Sequence, residues 1–352
     1  MTFEEFIMNA RELGASDIHL TVGLPTVIRV NGELQKYTDL DDSVINRTIL
    51  ALLSAEQQKK LTEGQDIDFS FELKNGVRQR VNVYRQCGKL AASIRLLNAY
   101  IPTLEELRMP VTLLDFAKKR RGLVLVTGPT GAGKSTTLAS IIDYINKNRA
   151  CHVITIEDPI EYRYEQSKAT IHQRELGKDV TSFADALRSA LREDPDVILI
   201  GEMRDYETIS LALTAAETGH LVFGTLHTSS AAQTIDRIID ACPLHAQEQV
   251  RSQLATIIQG IVAQSLIPRS DGKGRVAAVE VMVGTDAIKN LIRSNKIPQM
   301  ETQMQASSRS GMMTLNDSLA QLYKSGMISY ETALDYSTNA SEMDKKLMSG
   351  VN

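Results

Sequence analysis

The sequence predicts an α/β protein in which helices cover a parallel sheet and a smaller α+β domain precedes it. Beyond Pro110, apolar strand-like runs alternate with helix-like runs, the order expected of a parallel sheet with helices on its faces. The first hundred residues instead carry short β-rich runs and two helical stretches. A glycine-rich segment, 128–135, separates one strand-like run from one helix-like run. The length of 352 residues also favours two domains.

The N-terminal domain is expected over residues 1–97. Residues 2–13 and 42–63 are predicted to be helical, the first with Thr2 and Glu5 as a capping box. Alternating or β-rich runs predict strands over 17–22, 26–30, 66–73, 79–85 and 90–96. Hairpin signals are present at Asn31-Gly32 and Asn75-Gly76. A linker is expected over 98–110, where Pro102 imposes an extended path on residues 98–103.

The second domain is expected over residues 111–352. Strands are predicted over 123–127, 153–156, 197–200 and 221–225, and a helix over 137–148. The strand-like runs are short, apolar and bounded by polar residues, which is typical of buried parallel strands. A hairpin-like stretch, 269–274, leads into a strand over 276–282, after which the chain is predicted to be helical.

Composition limits the class of protein and of partner. The chain is 43% hydrophobic and 23% charged, ordinary values for a globular protein, and its net charge of -4 gives no basic footprint for nucleic acid. Cys87, Cys151 and Cys242 are too few and too scattered for a disulfide framework or a four-cysteine zinc site, so reduced thiols are expected. Neither a signal peptide nor an apolar run of about 18 residues is visible. We expect a cytoplasmic protein that reaches a membrane only through a partner.

The glycine-rich segment fits the phosphate-binding pattern G-x-x-x-x-G-K-[ST] at every fixed position. It reads Gly128-Pro129-Thr130-Gly131-Ala132-Gly133-Lys134-Ser135 and continues with Thr136. Such a loop aims backbone N–H groups at a triphosphate, and the following helix N-terminus adds positive potential. Lys134 supplies a mobile cation, and Ser135 is placed to bind Mg²⁺. The sequence therefore predicts binding of a nucleoside triphosphate with Mg²⁺.

Acidic residues follow two of the predicted strands. Glu157, Asp158 and Glu161 come after the strand at 153–156, and a solvated acidic loop is the alternative interpretation. Glu202 follows the strand at 197–200, where a carboxylate can hold Mg²⁺ directly or through water, or polarise the attacking water.

Two histidines, His220 and His227, bracket the strand at 221–225, which should lie beside the strand of the phosphate-binding loop. A neutral imidazole can donate to a phosphate oxygen and connect it to a carboxylate, while a structural role is the alternative. Zinc binding is a poor alternative, because the separation of the two histidines does not suit one short helix and no third ligand is nearby.

These four segments resemble the Walker A, Asp box, Walker B and His box of the secretion ATPases. Within that superfamily the chain is most similar to the ATPases that retract type IV pili. Further resemblance is carried by the segments 186–196, 213–220 and 287–293. The similarity extends from residue 14 to about residue 329 and so covers nearly the whole chain.

The resemblance implies a homohexamer of subunits with a PAS-like N-terminal domain and a RecA-like P-loop domain, which hydrolyses ATP with Mg²⁺ at its interfaces. The partner implied is the inner-membrane platform protein of a pilus machine, with neither nucleic acid nor direct membrane insertion. The residues implied are Lys134 and Ser135 for phosphate and metal; Asp158, Glu161 and Glu202 for metal and water; His220 and His227 in the His box, with His227 sensing the γ-phosphate; and Arg80 and Arg95 for nucleotide.

The chain departs from the family's pattern at two positions: near Gly88, where a basic residue is common, and at Lys289, where arginine is common. Three alternatives remain open. A pilus-assembly or type II secretion ATPase shares the four boxes but usually carries a longer N-terminal region and a four-cysteine insertion. A nucleic-acid translocase is disfavoured by the acidic balance. A regulatory subunit would bind ATP without turnover.

Overall fold

The computed structural model describes residues 2–30, 32–38, 40–74, 76–97 and 100–348. The chain divides into two compact units. Met1–Tyr100 and Pro159–Arg163 form the first, and Ile101–Asp158 and Tyr164–Asn352 form the second. The division near residue 100 falls inside the expected linker at 98–110, whereas the membership of Pro159–Arg163 in the first unit has no counterpart in the sequence analysis.

The first unit is an antiparallel sheet with helices packed on one face. Its strand order is β3-β2-β1-β6-β5-β4 among the described residues. Apolar side chains on one face of the sheet, such as Ile18 and Val81, form a core with helix residues such as Ile7 and Ile49. The elements are α1 (Phe3–Glu12), β1 (Ala15–Thr21), β2 (Val27–Val30), β3 (Glu33–Lys36), α2 (Asp42–Ala51), α3 (Ala55–Thr62), β4 (Ile67–Glu72), β5 (Arg78–Gln86) and β6 (Lys89–Leu96).

Local sequence explains where these helices begin. Thr2 and Glu5 form the predicted capping box at the start of α1. The prediction of one helix over 42–63 is wrong, because Ser54 and Gln57 form a second capping box that starts α3 after a break. The hairpin residues Asn31 and Asn75 lie outside the described residues, but the strands on either side of each pair as antiparallel neighbours.

The second unit contains a larger, mostly parallel sheet. Its described strands follow the order β13-β12-β7-β11-β10-β8-β9, and only β13 runs antiparallel to its neighbour among them. The elements are α4 (Thr112–Ala117), β7 (Gly122–Thr127), α5 (Lys134–Asn148), β8 (His152–Glu157), β9 (Thr170–Glu175), α6 (Phe183–Ala190), β10 (Val197–Ile200), α7 (Tyr206–Glu217), β11 (Leu221–Leu226), α8 (Ala231–Asp240), α9 (Gln247–Ile257), β12 (Ile258–Pro268), β13 (Arg275–Val283), α10 (Asp286–Arg293), α11 (Met300–Ala306), α12 (Leu315–Lys324), α13 (Tyr330–Asp335) and α14 (Ala340–Met348).

Helices cover both faces of this sheet, as the alternation of strands and helices predicts. Every residue of β7, β10 and β11 is buried. Leu123 and Leu125 of β7 face a core that includes α6 to α9, whereas Val124 and Val126 face a core with α4 and α5. Side chains that alternate between two apolar cores explain why these strands are apolar throughout. Across the described residues, no helix has both the length and the apolar character needed to cross a bilayer.

Candidate functional site

The phosphate-binding loop joins β7 to α5, as its sequence pattern requires. Gly133 is the N-cap of α5 with φ of 86°, a left-handed conformation that favours glycine. Gly128 has φ of 143°, and a Cβ atom there would lie 2.2 Å from the carbonyl oxygen of Gln264. Lys134 begins α5, and its Nζ donates to the carbonyl oxygens of Gly128 at 2.7 Å and Pro129 at 3.1 Å. The lysine amine is therefore held over its own loop, where a phosphate can accept from it.

Gln264 of β12 connects the loop to its neighbouring strand. Its Nε2 donates to the carbonyl oxygen of Ala132 at 2.6 Å, and its Oε1 accepts from Thr137 Oγ1 at 2.8 Å. The side chain is buried, so both hydrogen bonds form away from water and fix the loop relative to the sheet. Gln264 was not predicted from the sequence. The available signal was a polar residue within the apolar run of β12.

The catalytic candidates of the second unit lie at the carboxyl ends of adjacent strands. The strand order β7-β11-β10-β8 places the phosphate-binding loop, His227, Glu202 and Asp158 in succession along one edge of the sheet. Asp158 directly follows β8 and is exposed. The strand with the two histidines pairs with β7, as the sequence analysis predicts. This edge of an open parallel sheet is where ligands bind in α/β proteins.

Glu202 contacts two basic side chains. Its Oε1 lies 2.9 Å from His227 Nε2 and 2.5 Å from Arg204 Nε. Burial is the largest influence on the pKa of Glu202 and raises it, but hydrogen bonds and charges from Arg204, and then from His227, outweigh burial and leave that pKa below its ordinary value. Glu202 is therefore ionised at neutral pH, and its carboxylate can orient water or a metal ion.

His220 is not brought to this edge. It precedes β11, whereas His227 follows it, and a six-residue strand spans roughly 20 Å. The Nδ1 atom of His220 lies 2.9 Å from the carbonyl oxygen of Ala215, near the end of α7. Within this subunit the geometry gives His220 a structural contact and separates it from Glu202, and its assignment to catalysis stays a prediction.

Three other candidates belong to the first unit. Glu161 lies in the segment Pro159–Arg163, and its assignment to metal or water stays a prediction. Arg80 and Arg95 are directly opposite each other on β5 and β6. Arg80 forms a two-pronged pair with Asp68, and Arg95 Nε lies 3.1 Å from Asp17 Oδ1. Their assignment to nucleotide binding likewise stays a prediction.

A cleft of about 230 Å³ adjoins the phosphate-binding loop within the second unit. Gly133 and Thr136 line one side of it, while Leu266, Arg269 and Met327 line another. The walls combine apolar side chains with arginines, which is the mixture found in pockets for planar organic groups. The residues that line this cleft lie partly outside the four boxes, and their spacing in the chain forms no recognisable motif.

The donor atoms at the sheet edge suit Mg²⁺. Ser135, in the first turn of α5, offers a hydroxyl group, and Glu202 and Asp158 offer carboxylates. Mg²⁺ prefers hard oxygen ligands and is usually bound by one or two protein groups together with phosphate and water. Within the described part of the chain, no three His, Cys, Asp or Glu side chains are grouped so that they could hold a metal ion by themselves.

A glycine-rich phosphate loop, a half-buried glutamate after the second neighbouring strand and a histidine after the strand between them define a P-loop ATPase. The chain matches the family of type II/IV secretion system proteins over residues 2–335. It belongs to that family and is an ATPase of RecA-like fold.

Relatives of known name cover nearly the whole chain. The type IV pilus retractation ATPase PilT of Pseudomonas aeruginosa is 48% identical over 335 residues, which are 95% of this chain and 97% of PilT. A twitching motility protein of Neisseria gonorrhoeae is 46% identical over 90% of this chain and 85% of its own length.

Solved structures agree with the sequence comparison. The pilus retraction motor PilT with bound ADP superposes with a TM-score of 0.89 at 48% identity, over 98% of this chain and 99% of that one. The ATPase DotB of Legionella pneumophila gives a TM-score of 0.81 at 30% identity, over 94% of each chain.

Proposed function

We propose that this ATPase is the motor that retracts type IV pili. The observation that carries the proposal is the 48% identity to the P. aeruginosa retraction ATPase over 95% of the chain. The phosphate-binding loop and the Glu202–His227 pair supply the chemistry that such a motor needs. ATP hydrolysis is the energy source, and pilus disassembly, as in twitching motility, is the mechanical output.

The phosphate-binding loop holds the nucleotide. Backbone N–H groups around Gly131 and Gly133 point at the phosphates, and Lys134 exchanges its loop carbonyl partners for phosphate oxygens. Ser135, Glu202, Glu161 and Asp158 are the proposed Mg²⁺ ligands, directly or through water. Bound Mg²⁺ supplies positive charge that stabilises the developing negative charge on the phosphates.

Glu202 orients the water that attacks the γ-phosphate. The ionised carboxylate accepts a hydrogen bond from that water and directs an oxygen lone pair at phosphorus. His227 follows β11, which lies between the Glu202 strand and the phosphate-loop strand. This position lets His227 report the presence of the γ-phosphate to Glu202 through their 2.9 Å contact.

The cleft beside the loop is the proposed site of the adenine base. Gly133 and Thr136 line the cleft. In this proposal the phosphate-binding loop holds the phosphates, and the adjoining cleft takes the base. Leu266 and Met327 offer apolar contact to a flat base, and Arg269 offers a cation for stacking or hydrogen bonding.

The proposed function also includes an oligomeric state and a partner. The active form is a homohexamer, and Arg80 and Arg95 contact bound nucleotide in that ring as guanidinium donors. The first domain is assigned to residues 1–97, the linker to 98–110 and the ATPase domain to 111–352. The hexamer acts in the cytoplasm and joins the inner membrane through the platform protein of a pilus machine.

ATP turnover by the purified protein tests the enzymatic part. We expect Lys134→Ala to abolish measurable hydrolysis and Glu202→Gln to lower kcat about 100-fold while ATP still binds. A parent protein without turnover would instead be a regulatory ATP-binding subunit. Strong stimulation by single-stranded DNA would indicate a translocase.

Deletion of the gene tests the direction of the motor. Loss of a retraction ATPase leaves assembly running, so cells should carry more pili and lose twitching motility. Complementation with the Glu202→Gln variant should not restore motility, whereas the unaltered gene should. Cells without pili would show an assembly motor, and a secretion defect with normal pili would show a type II secretion ATPase.

A further inference from the structure

Glu280 is a buried carboxylate in the second unit to which no role in catalysis has been given. It lies on β13 and is only 7% exposed. Its Oε1 accepts from the backbone N–H of Ala231 at 2.7 Å, and the N–H of Leu315 also donates to this carboxylate. Ala231 and Leu315 are the first residues of α8 and α12. One side chain therefore accepts hydrogen bonds from the first turns of two helices.

The helix α8 begins directly after the loop that carries His227. This loop spans residues 227–230, between the end of β11 and Ala231. Its N-terminal end is fixed by the sheet, and its C-terminal end by the first turn of α8. The contact with Glu280 is therefore a buried anchor on the helical side of the loop.

A second contact ties the same turn to the phosphate-loop strand. Thr234 Oγ1 lies 2.7 Å from Thr228 Oγ1 and 3.5 Å from Thr127 Oγ1. Thr127, Ala263 and Glu280 lie opposite one another on β7, β12 and β13. Thr127 and Glu280 thus face α8 from one row of the sheet, next to the phosphate-binding loop, while the Thr234 hydroxyl donates to Ser230 O at 2.7 Å.

We propose that Glu280 is a positioning residue for ATP hydrolysis, because its carboxylate fixes α8 and thereby the loop that places His227 against Glu202. The inference rests on the proposed function of His227. Glu280 acts through the backbone of α8 and has no contact with the reacting atoms in this role. Loss of the anchor lets His227 leave the position in which its Nε2 lies 2.9 Å from Glu202.

The Glu280→Gln variant tests this role with little change in shape. An amide has one acceptor oxygen in place of two and carries no charge, so it should hold the N–H groups of Ala231 and Leu315 less firmly than a carboxylate does. We expect kcat for ATP to fall about tenfold while KM changes less than about twofold, since Gln264 holds the phosphate loop independently. Glu280→Asp, which keeps the charge but is shorter, should show the same pattern.

Thr314→Val is the matched control. Thr314 caps α12, where its Oγ1 accepts from Asp317 N at 3.2 Å. Its replacement disturbs α12 without touching α8, so we expect kcat within about twofold of the parent value. An equal fall in kcat for this variant would overturn the proposal, because the effect would then come from loosening of the C-terminal helices.

A double variant asks whether Glu280 acts through His227. If it does, Glu280→Gln combined with His227→Ala should turn over ATP no more slowly than His227→Ala alone. Independent, multiplicative losses would overturn the proposal. So would an unchanged kcat in both Glu280 variants, or a raised KM with unchanged kcat.

Lys134→Ala separates this inference from the ATPase assignment. If Lys134→Ala is inactive and His227→Ala is slowed but the Glu280 variants are fully active, the inference fails and the proposed function stands. A fully active His227→Ala variant would also overturn the inference, because ATP hydrolysis would then not depend on His227 or on its position. A fully active Lys134→Ala variant contradicts the proposed function itself.

Discussion

At the scale of single residues, Gln264 does the most to keep the phosphate-binding loop in place. Gln264→Leu leaves the carbonyl of Ala132 and the hydroxyl of Thr137 without these partners in a buried site. An unsatisfied buried polar group costs about 1–3 kcal/mol. We expect KM for ATP to rise about tenfold, measured by steady-state kinetics.

The control for Gln264 lies on the same strand. Gln259 is at the other end of β12, and its side chain approaches Gly122 at the start of β7. Gln259→Leu should leave KM within about twofold of the parent value. Equal effects of the two variants would mean that β12 as a whole, rather than the Gln264 contacts, determines affinity for ATP.

Glu280 also predicts a dependence of stability on pH. Burial, its largest influence, raises the pKa of Glu280 to about 7; the charge of Glu301 adds to this, and hydrogen bonds from Ala231 and Leu315 lower it. Because the folded pKa exceeds the unfolded one, the group binds a proton more tightly in the folded state. Its stabilising contribution is full below the unfolded pKa and is lost as the pH rises through about 7.

The size of this contribution is about 3 kcal/mol between pH 4.5 and pH 7. Glutamine does not titrate, so this contribution is absent in Glu280→Gln. As the pH rises from 4.5 to 7, the free energy of unfolding of the parent should therefore fall relative to that of the variant. Urea unfolding at a series of pH values measures the difference. Parallel curves for the two proteins would show that Glu280 keeps an ordinary pKa in the folded state.

At the scale of elements, the break between α2 and α3 is set by one hydroxyl group. Ser54 Oγ accepts from Gln57 N at 3.2 Å at the start of α3. Ser54→Ala should lower the free energy of unfolding by about 1 kcal/mol and leave ATP turnover unchanged. Thr62→Ala, at the other end of α3, removes an exposed hydroxyl that bonds Gln58 O and should be close to neutral. A neutral Ser54→Ala would show that packing alone separates the two helices.

The same break shows what sequence patterns can predict. Apolar periodicity continues across 42–63, so it indicates one helix, and the capping box at Ser54 is the competing local signal that prevails. The strands β7, β10 and β11 were predicted from the sequence because burial on both faces makes them apolar throughout. By contrast, β9 carries His172, Gln173 and Arg174 and has no such signature.

Some residues of the candidate site could be predicted from local sequence patterns, and others could not. The phosphate-binding loop, Glu202 and His227 could be predicted because each follows a recognisable strand. Gln264 and Glu280 could not, because their partners are 132 and 49 residues away in the chain and no local pattern links them. His220 and His227 flank the same strand, and only the direction of β11 determines which of them lies at the edge with the phosphate-binding loop.

At the scale of the whole molecule, the polar face of the first unit's sheet carries a row of charges. Arg80 and Arg95 are opposite each other on β5 and β6, and the adjoining strands supply their partners Asp68 and Asp17. The side chains of Arg80 and Arg95 are 38% and 58% exposed, and ion pairs this exposed contribute about 0–1 kcal/mol each. Stability therefore gives little reason for two adjacent guanidinium groups, which suit phosphate recognition.

Replacement of these arginines distinguishes a role in stability from a role in nucleotide binding. Arg80→Ala and Arg95→Ala should each change the free energy of unfolding by less than about 1 kcal/mol. If their guanidinium groups contact nucleotide in the hexamer, kcat should fall at least about tenfold, because such groups stabilise charge that develops during phosphoryl transfer. Arg85→Ala is the control: Arg85 lies on the same strand but on the opposite face, and its guanidinium donates to Gly88 O. The kcat for ATP is measured on hexamers isolated by size-exclusion chromatography. An unchanged kcat in both arginine variants would mean that the two pairs are surface ion pairs only. Nucleotide binding would then lie wholly in the second unit.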